Sequence, residues 1–294
     1  MISREIIKNG AGILNIWGDL KSTHYKISTD SRKYKNKELF LALQGENFDG
    51  FTYVEEVLKK GCEIVVFNTS KENLIKRREF SKKYDICFIE VEDSTKYFQN
   101  IALLHIQNWK KQDPDRNIIG ITGSNGKTTT KEMLFHFLNS IMPDKIHCSW
   151  GNYNNHIGVP ATIVEITDQH QAAIIEMGTN HPGEIELLCN IALPNAGIIT
   201  SIGKAHLEFF NNEENIFKEK SSLFEHVGKY HPSAPFVVDG EDIFLKTLSS
   251  TKGLVKYSCD SISLSSHQVV IDGSTLENRH ITGKHNFKNL SCSF

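Results

Sequence analysis

The stretch Asn117-Ile-Ile-Gly-Ile-Thr-Gly-Ser-Asn-Gly-Lys-Thr-Thr-Thr130 decides the fold of this chain. The apolar run before the glycines predicts a buried strand, and Met133, Leu134, Phe137, Leu138 and Ile141 recur beyond them at helical spacing. Between strand and helix, Gly123 and Gly126 let the backbone curl so that N–H groups point inward, where the positive end of the helix adds to them. Polyphosphate is the ligand that suits such a turn. Lys127 reaches its terminal phosphates, and the Thr128 hydroxyl is placed to join the oxygen shell of a Mg²⁺ ion. Ile121 occupies the position of the first glycine in the usual G-x-x-x-x-G-K-[ST] spacing. The reading therefore rests on the strand before the turn and the helix after it.

With 294 residues the chain is long enough for about two domains, and its 39% hydrophobic content can fill real cores. A net charge of −2 gives no electrostatic footprint for nucleic acid or an anionic membrane, which favours a small-molecule substrate. Cys62, Cys87, Cys148, Cys189, Cys259 and Cys292 are scattered, with no C-x-x-C pair and no zinc spacing, as in reduced cytosolic thiols. The first twenty residues carry Arg4, Glu5, Lys8 and Asp19 without a continuous apolar core, so no signal peptide is expected. No apolar stretch is long enough to span a bilayer, and the cytoplasm is the expected compartment.

Outward from the glycine turn, Glu38–Leu43 and Glu63–Phe67 read as strands and Tyr53–Lys60 as a short helix ended by Gly61. The polar run Lys110-Lys-Gln-Asp-Pro-Asp-Arg116 reads as a linker. It divides a mixed α/β domain over residues 1–112 from a second domain over 113–294. Within the second, Gln171–Glu176 and Ala196–Thr200 are apolar runs, each followed by a glycine-containing turn and a helical pattern. That alternation predicts an α/β fold with a mostly parallel sheet flanked by helices on both faces.

Ligands of such sheets bind at the carboxyl ends of the strands. Glu176 ends one strand and Lys204-Ala-His206 follows another. A carboxylate there can hold Mg²⁺ or can be a solvated strand-end charge, and His206 alone reads more simply as structural. In the helical pattern Asn212–Val227, Lys220 falls on the apolar stripe of Ile216, Leu223 and Val227, whereas Lys218 points elsewhere. An inward lysine leaves two readings open. Its stem can pack while the ammonium reaches outward, or burial can free the amine to take up CO₂ as a carbamate, an oxygen ligand for metal.

Five ordered segments carry a resemblance. They are Gly120–Glu132, Gly151-Asn-Tyr-Asn-Asn-His-Ile-Gly-Val-Pro160, Glu176-Met-Gly-Thr-Asn-His-Pro-Gly-Glu-Ile185, Gly203-Lys-Ala-His-Leu-Glu208 and Gly283-Lys-His-Asn286. Together with Thr29-Asp-Ser-Arg32 and Gly45-Glu-Asn-Phe-Asp-Gly50, they resemble the Mur ligase family over nearly the whole chain, and its branch that adds D-alanyl-D-alanine in particular. The resemblance implies a small UDP-binding N-terminal domain with Ser31 and Arg32 at the substrate, followed by a P-loop-type central domain. ATP would meet Gly123, Ser124, Asn125, Gly126, Lys127, Thr128 and Thr129 at the loop, with His285, Asn286 and Asn289 near the adenosine. Thr128 and Glu176 would hold one Mg²⁺, and Glu176, His206 and a carbamylated Lys220 a second, with Lys127, Glu176, His206 and Lys220 as the catalytic set. Asn152, Asn154 and Asn155 would lie near the muramoyl substrate, although Gly-Asn-Tyr-Asn-Asn is also plain turn chemistry. Ser221 stands where the family usually has glycine.

The implied activity is an ATP-dependent amide ligation in peptidoglycan precursor synthesis. A carboxylate of UDP-MurNAc-tripeptide is activated as an acyl phosphate and attacked by D-Ala-D-Ala. The enzyme is expected to act in the cytoplasm as a monomer. Family members continue into a third domain after the Gly-Lys-His-Asn segment, so this chain reads as lacking it and as turning over poorly on its own. Two rivals stay open: a non-catalytic UDP-sugar or ATP-binding module, and another ATP-dependent amide ligase such as a folylpolyglutamate synthase.

Overall fold

A computed structural model of the chain describes residues 1–204, 208–249 and 252–257 in full, and the backbone alone at 207, 262–265, 268–271 and 274–277. It divides into two compact units, Met1–Gln112 with Ile163–Thr167, and Asp113–Thr162 with Asp168–Phe294.

In the first unit, strands β1 (Ile13–Trp17), β2 (Ile27–Ser28), β3 (Leu39–Ala42), β4 (Ile64–Asn68) and β5 (Cys87–Val91) form one sheet in the order β1-β5-β4-β3-β2. Only β1 runs antiparallel to its neighbour. The central strands are apolar without alternation because both faces are covered. On one face Phe40, Phe51, Phe67 and Phe88 cluster with α1 (Val54–Lys59), which continues a 3₁₀ turn at Gly50–Tyr53. Helix α2 (Lys71–Lys83) follows β4, and α3 (Ser94–Gln112) packs against β3 and β4 while burying Tyr97, Phe98, Ile101, Ile106 and Trp109. The Trp109 indole donates to Thr167 O at 3.0 Å, which ties Ile163–Thr167 to this unit.

The polar run read as a linker is shorter than its composition suggests. Lys110, Lys111 and Gln112 form the last turn of α3, where basic side chains favour the negative helix end, and the chain leaves the helix just before Asp113-Pro114.

The second unit is built on a six-stranded sheet, parallel throughout. Its strands are β6 (Asn117–Thr122), β7 (Ile146–Cys148), β8 (Ala172–Glu176), β9 (Ala196–Ile199), β10 (Phe236–Asp239) and β11 (Leu254–Tyr257), in the order β7-β8-β6-β9-β10-β11. Helices cover both faces. Ile119 and Ile121 of β6 pack toward α4 (Lys127–Ile141) through Leu134, Phe135 and Leu138. The opposite face meets α7 (Glu213–Tyr230) so closely that a Cβ on Gly120 would stand 2.8 Å from Leu223 Cδ1. Two further helices, α5 (Glu184–Ala192) and α6 (Leu207–Phe210), precede α7. The strands Ile262–Ser265, Gln268–Ile271 and Ser274–Glu277 form an antiparallel sheet. Because β6 is central and the chain departs from it in both directions across the sheet, the crevice at its carboxyl end is a topological switch point.

Candidate nucleotide site

The loop Gly123–Gly126 joins β6 to α4 at that switch point. Gly126 caps the helix at φ 84°, a conformation that favours glycine. Gly123 is required for space as well: an added Cβ would lie 1.9 Å from Thr200 Oγ1. The loop is stitched to the segment after β9. Ser124 N donates to Ser201 O (2.9 Å), Asn125 N to Ser201 Oγ (3.1 Å) and the Thr200 hydroxyl to Asn125 O. The amides of Ser124 and Asn125 are therefore already taken. Inward N–H groups for a ligand fall instead to the start of α4, a distinction that glycine spacing does not encode.

A cavity of about 240 Å³ opens beside the loop, lined by Gly123, Ser124, Lys127, Asn154, Asn155, Lys220 and the segment Gly178–Asn180 with Glu184. Lys127 Nζ donates to Gly123 O at 2.8 Å. Burial pulls its ammonium below the ordinary lysine value, opposed by the charge of Glu176. Lys220 is 2% exposed on the inward stripe of α7, while Lys218 is exposed. Burial and then the neighbouring Lys127 charge lower the Lys220 ammonium to about 7, with Glu219 acting in the other direction. Two desolvated amines that repel one another across one cavity favour an anion between them.

Glu176, 1% exposed, ends β8 and is held by its side-chain neighbours. The Thr128 hydroxyl donates to Oε2 at 2.9 Å, Asn154 Nδ2 to Oε1 at 2.8 Å, and the Glu176 amide donates to Ser149 Oγ at 3.0 Å. In an octahedral oxygen shell with bonds of about 2.1 Å, neighbouring ligand oxygens stand about 3.0 Å apart. The Thr128–Glu176 pair has that spacing. Among the described residues no group of three His, Cys, Asp or Glu could hold a metal by itself. A cation here would therefore complete its shell with water and ligand oxygens, as Mg²⁺ does.

The other sequence candidates divide. Asn155 lines the cavity, but its Oδ1 already accepts from the amides of Ile157 and Gly158. Asn152 has an exposed side chain that does not line the cavity, and neither does that of Thr129. His206, His285, Asn286 and Asn289 lie outside the described residues. Ser221 is buried, and its hydroxyl has no hydrogen-bond partner. Sequence reasoning missed Glu219 and Lys131. Glu219 Oε2 accepts from Gly183 N at 2.7 Å and Oε1 from Ile185 N at 2.8 Å, and the Thr179 hydroxyl lies 3.3 Å from Oε1. A carboxylate from α7 thereby caps α5 and fixes the segment lining the cavity. Its place between Ile216 and Leu223 at helical spacing was the available clue.

In the first unit, Thr29, Asp30, Ser31, Arg32, Phe40, Phe48 and Tyr53 line a second cavity of about 370 Å³. Ser31 is buried, and its hydroxyl donates to Glu56 Oε2 at 3.2 Å. Arg32 is forked onto Asp30 at 2.8 and 2.9 Å and holds that carboxyl down at about 2. The exposed rings of Phe48 and Tyr53 lie 24° from parallel with centroids 5.8 Å apart.

Comparison with known proteins agrees with this architecture. Residues 121–294 match the family model described as the Mur ligase middle domain, and residues 23–103 match that of the Mur ligase family, catalytic domain. The chain is similar to the UDP-N-acetylmuramoyl-tripeptide–D-alanyl-D-alanine ligase of Bacillus subtilis (34% identical, covering 76% of this chain and 46% of the relative). It is also similar to that of Synechocystis (36% identical, covering 73% and 43%). It thus spans under half the length of these relatives. Among solved structures, MurF from Acinetobacter baumannii aligns with a TM-score of 0.79 at 26% identity, covering 99% of this chain and 63% of that one. MurF ligase from Thermotoga maritima, solved in complex with ADP, shares the fold at 23% identity with a TM-score of 0.74, covering 92% and 61%.

Proposed function

We propose, from the premise that this chain belongs to the Mur ligase family, that its second unit binds ATP with Mg²⁺ in an ATP-dependent ligation. In that reaction D-alanyl-D-alanine is joined to UDP-N-acetylmuramoyl-tripeptide. Residues 1–112 hold the UDP end of the substrate and residues 113–294 the nucleotide. The observation that carries the reading is the cavity beside Gly123–Gly126, which Lys127 and Lys220 line next to the Thr128–Glu176 oxygen pair.

The chemistry follows from these groups. A carboxylate oxygen of the tripeptide attacks the γ-phosphorus of ATP, the bond to the β-γ bridging oxygen breaks, and ADP leaves with an acyl phosphate formed. Lys127 and the start of α4 offset charge on the transferring group and on ADP. Thr128 and Glu176 hold the Mg²⁺, which supplies further positive charge to the phosphate oxygens when bound. The dipeptide amine then attacks the activated carbonyl, loses a proton and expels phosphate. Lys220, whose ammonium burial lowers to about 7, would take up CO₂ as a carbamate with release of one proton, and with Glu176 and His206 would hold a second Mg²⁺. Asn154 and Asn155 offer amide groups to the muramoyl substrate. In the first unit the Phe48–Tyr53 rings offer a surface for a base, and Arg32 is a guanidinium for the diphosphate.

Calorimetric titration of the 294-residue chain with Mg²⁺–ATP tests the reading. We expect binding that needs Mg²⁺ and that Lys127→Ala weakens by roughly a hundredfold to a thousandfold, about 3–4 kcal/mol. Absence of Mg²⁺-dependent nucleotide binding by folded protein would refute it. ADP release that requires both the tripeptide substrate and D-alanyl-D-alanine tests the substrate assignment.

A further inference from the structure

The structure assigns Lys131 as a positioning residue that seats the loop Ser149–Asn155 and, through Asn154, presents the Glu176 carboxylate to a metal. The assignment rests on the nucleotide reading above for its metal but not for its loop.

Lys131 lies one turn after Lys127 on α4 and is completely buried. A buried ammonium has three protons to place, and here each has an acceptor. Nζ donates to Ser149 O at 2.8 Å and Gly151 O at 3.0 Å, and lies 2.9 Å from Glu132 Oε1. The two carbonyls flank Trp150, so one side chain of the phosphate helix pins the loop on both sides of that residue. Glu176 Oε2 stands 4.0 Å from the same nitrogen, close enough for charge but beyond a hydrogen bond. Lys131 thus supports the carboxylate without occupying one of its lone pairs.

The far end of the loop closes on the same residue. Asn154 Nδ2 donates to Glu176 Oε1, and Gly178 N donates to Asn154 O at 2.8 Å. Ser149, whose carbonyl Lys131 holds, also receives the Glu176 amide on its hydroxyl. A Cβ on Gly178 would stand 2.8 Å from Asn154 Cγ, so the amide has little room to turn. The direction of Asn154, and with it the direction of the Glu176 oxygens, is set by where Lys131 puts the loop. A group that orients a metal ligand without touching the metal acts on metal affinity rather than on nucleotide contact.

The test compares Lys131→Met and Lys131→Arg with the unsubstituted chain, after thermal melts confirm folding. ADP affinity is measured by calorimetry with and without Mg²⁺, and amide hydrogen exchange is followed over residues 149–155. In Lys131→Met we expect metal-free ADP affinity within about twofold of the original, a loss of roughly tenfold or more in the Mg²⁺ enhancement, and faster exchange in the loop. Lys131→Arg, which can still donate to both carbonyls, should recover most of the enhancement. A folded Met variant with full enhancement and an unchanged loop overturns the assignment. If the Met variant fails to fold, Asn154→Ala decides: lost enhancement supports the path through Asn154, and full enhancement refutes it. If the unsubstituted chain shows no Mg²⁺-dependent ADP binding, the nucleotide reading falls, and exchange over 149–155 still decides whether Lys131 seats the loop.

Discussion

The two cavities sit on sheets of similar make but treat charge in opposite ways. In the second unit Lys131, Glu176, Glu219 and Lys220 are buried around the end of β6 and Lys127 is half-buried beside them, and burial lowers the ammonium groups of Lys127 and Lys220. In the first unit Arg32 remains largely solvated, with its side chain 84% exposed, and its pairing with Asp30 decides its behaviour. The difference teaches where each site draws its strength. Desolvated charges act strongly, respond to pH near neutrality and resist salt, whereas an exposed pair adds little stability and yields to screening.

Lys220 offers the largest way to break that contrast. Burial lowers its ammonium from the ordinary lysine value of 10.5 to about 7 on folding. A folded state that disfavours the proton loses stability fully below about pH 7 and regains it as pH rises toward 10.5. Lys220→Met in CO₂-free buffer should therefore be more stable than the original at pH 7, by at most about 5 kcal/mol. Its advantage should shrink steadily toward pH 10 in urea titrations. A constant difference across that range would show that the amine is not desolvated. Added [¹³C]bicarbonate should give one carbamate resonance that the Met variant lacks.

Glu219 comes next. Glu219→Gln turns an amide N–H toward the N–H of Gly183 or Ile185, leaving a buried donor without an acceptor. Chemical denaturation should show a loss of about 2 kcal/mol, with faster amide exchange at Thr179–Ile185. Loss of stability without any change in that segment would remove Glu219 as its clamp.

The exposed pair should give the smallest effect. Asp30 is held at about 2, so what it contributes to stability is present above the unfolded value near 3.8 and lost as pH falls through 2. Asp30→Asn should shift acid unfolding only slightly, and 0.5 M salt should erase the difference. A shift that survives salt would place this pair with the buried charges of the second unit.

Much of this contrast was legible in the residues, and the reasons differ from place to place. The strand, glycine turn and helix around Lys127 are local, so spacing reveals them. Lys220 was visible because its helix has a clear apolar stripe. Glu219 lies on that stripe too, yet an acidic residue there reads as solvated until the α5 terminus is known to face it. Lys131 follows three threonines in a polar run, and only the return of the chain at Ser149–Gly151 buries it. The use of the Ser124 and Asn125 amides depends on Ser201, far along the sequence. Contacts of that kind are written in topology rather than in local pattern.

The stitching of the glycine turn has a consequence for how the protein is made. Asn125 and Thr200 are 75 residues apart, and β6 is completed on its two sides only by β8 and β9. A ribosome that has synthesised the turn and α4 has therefore produced the motif without its grip. Until β8 and β9 have emerged from the exit tunnel, both edges of β6 keep unpaired backbone N–H and C=O groups, and the turn lacks the Thr200 contact that holds it.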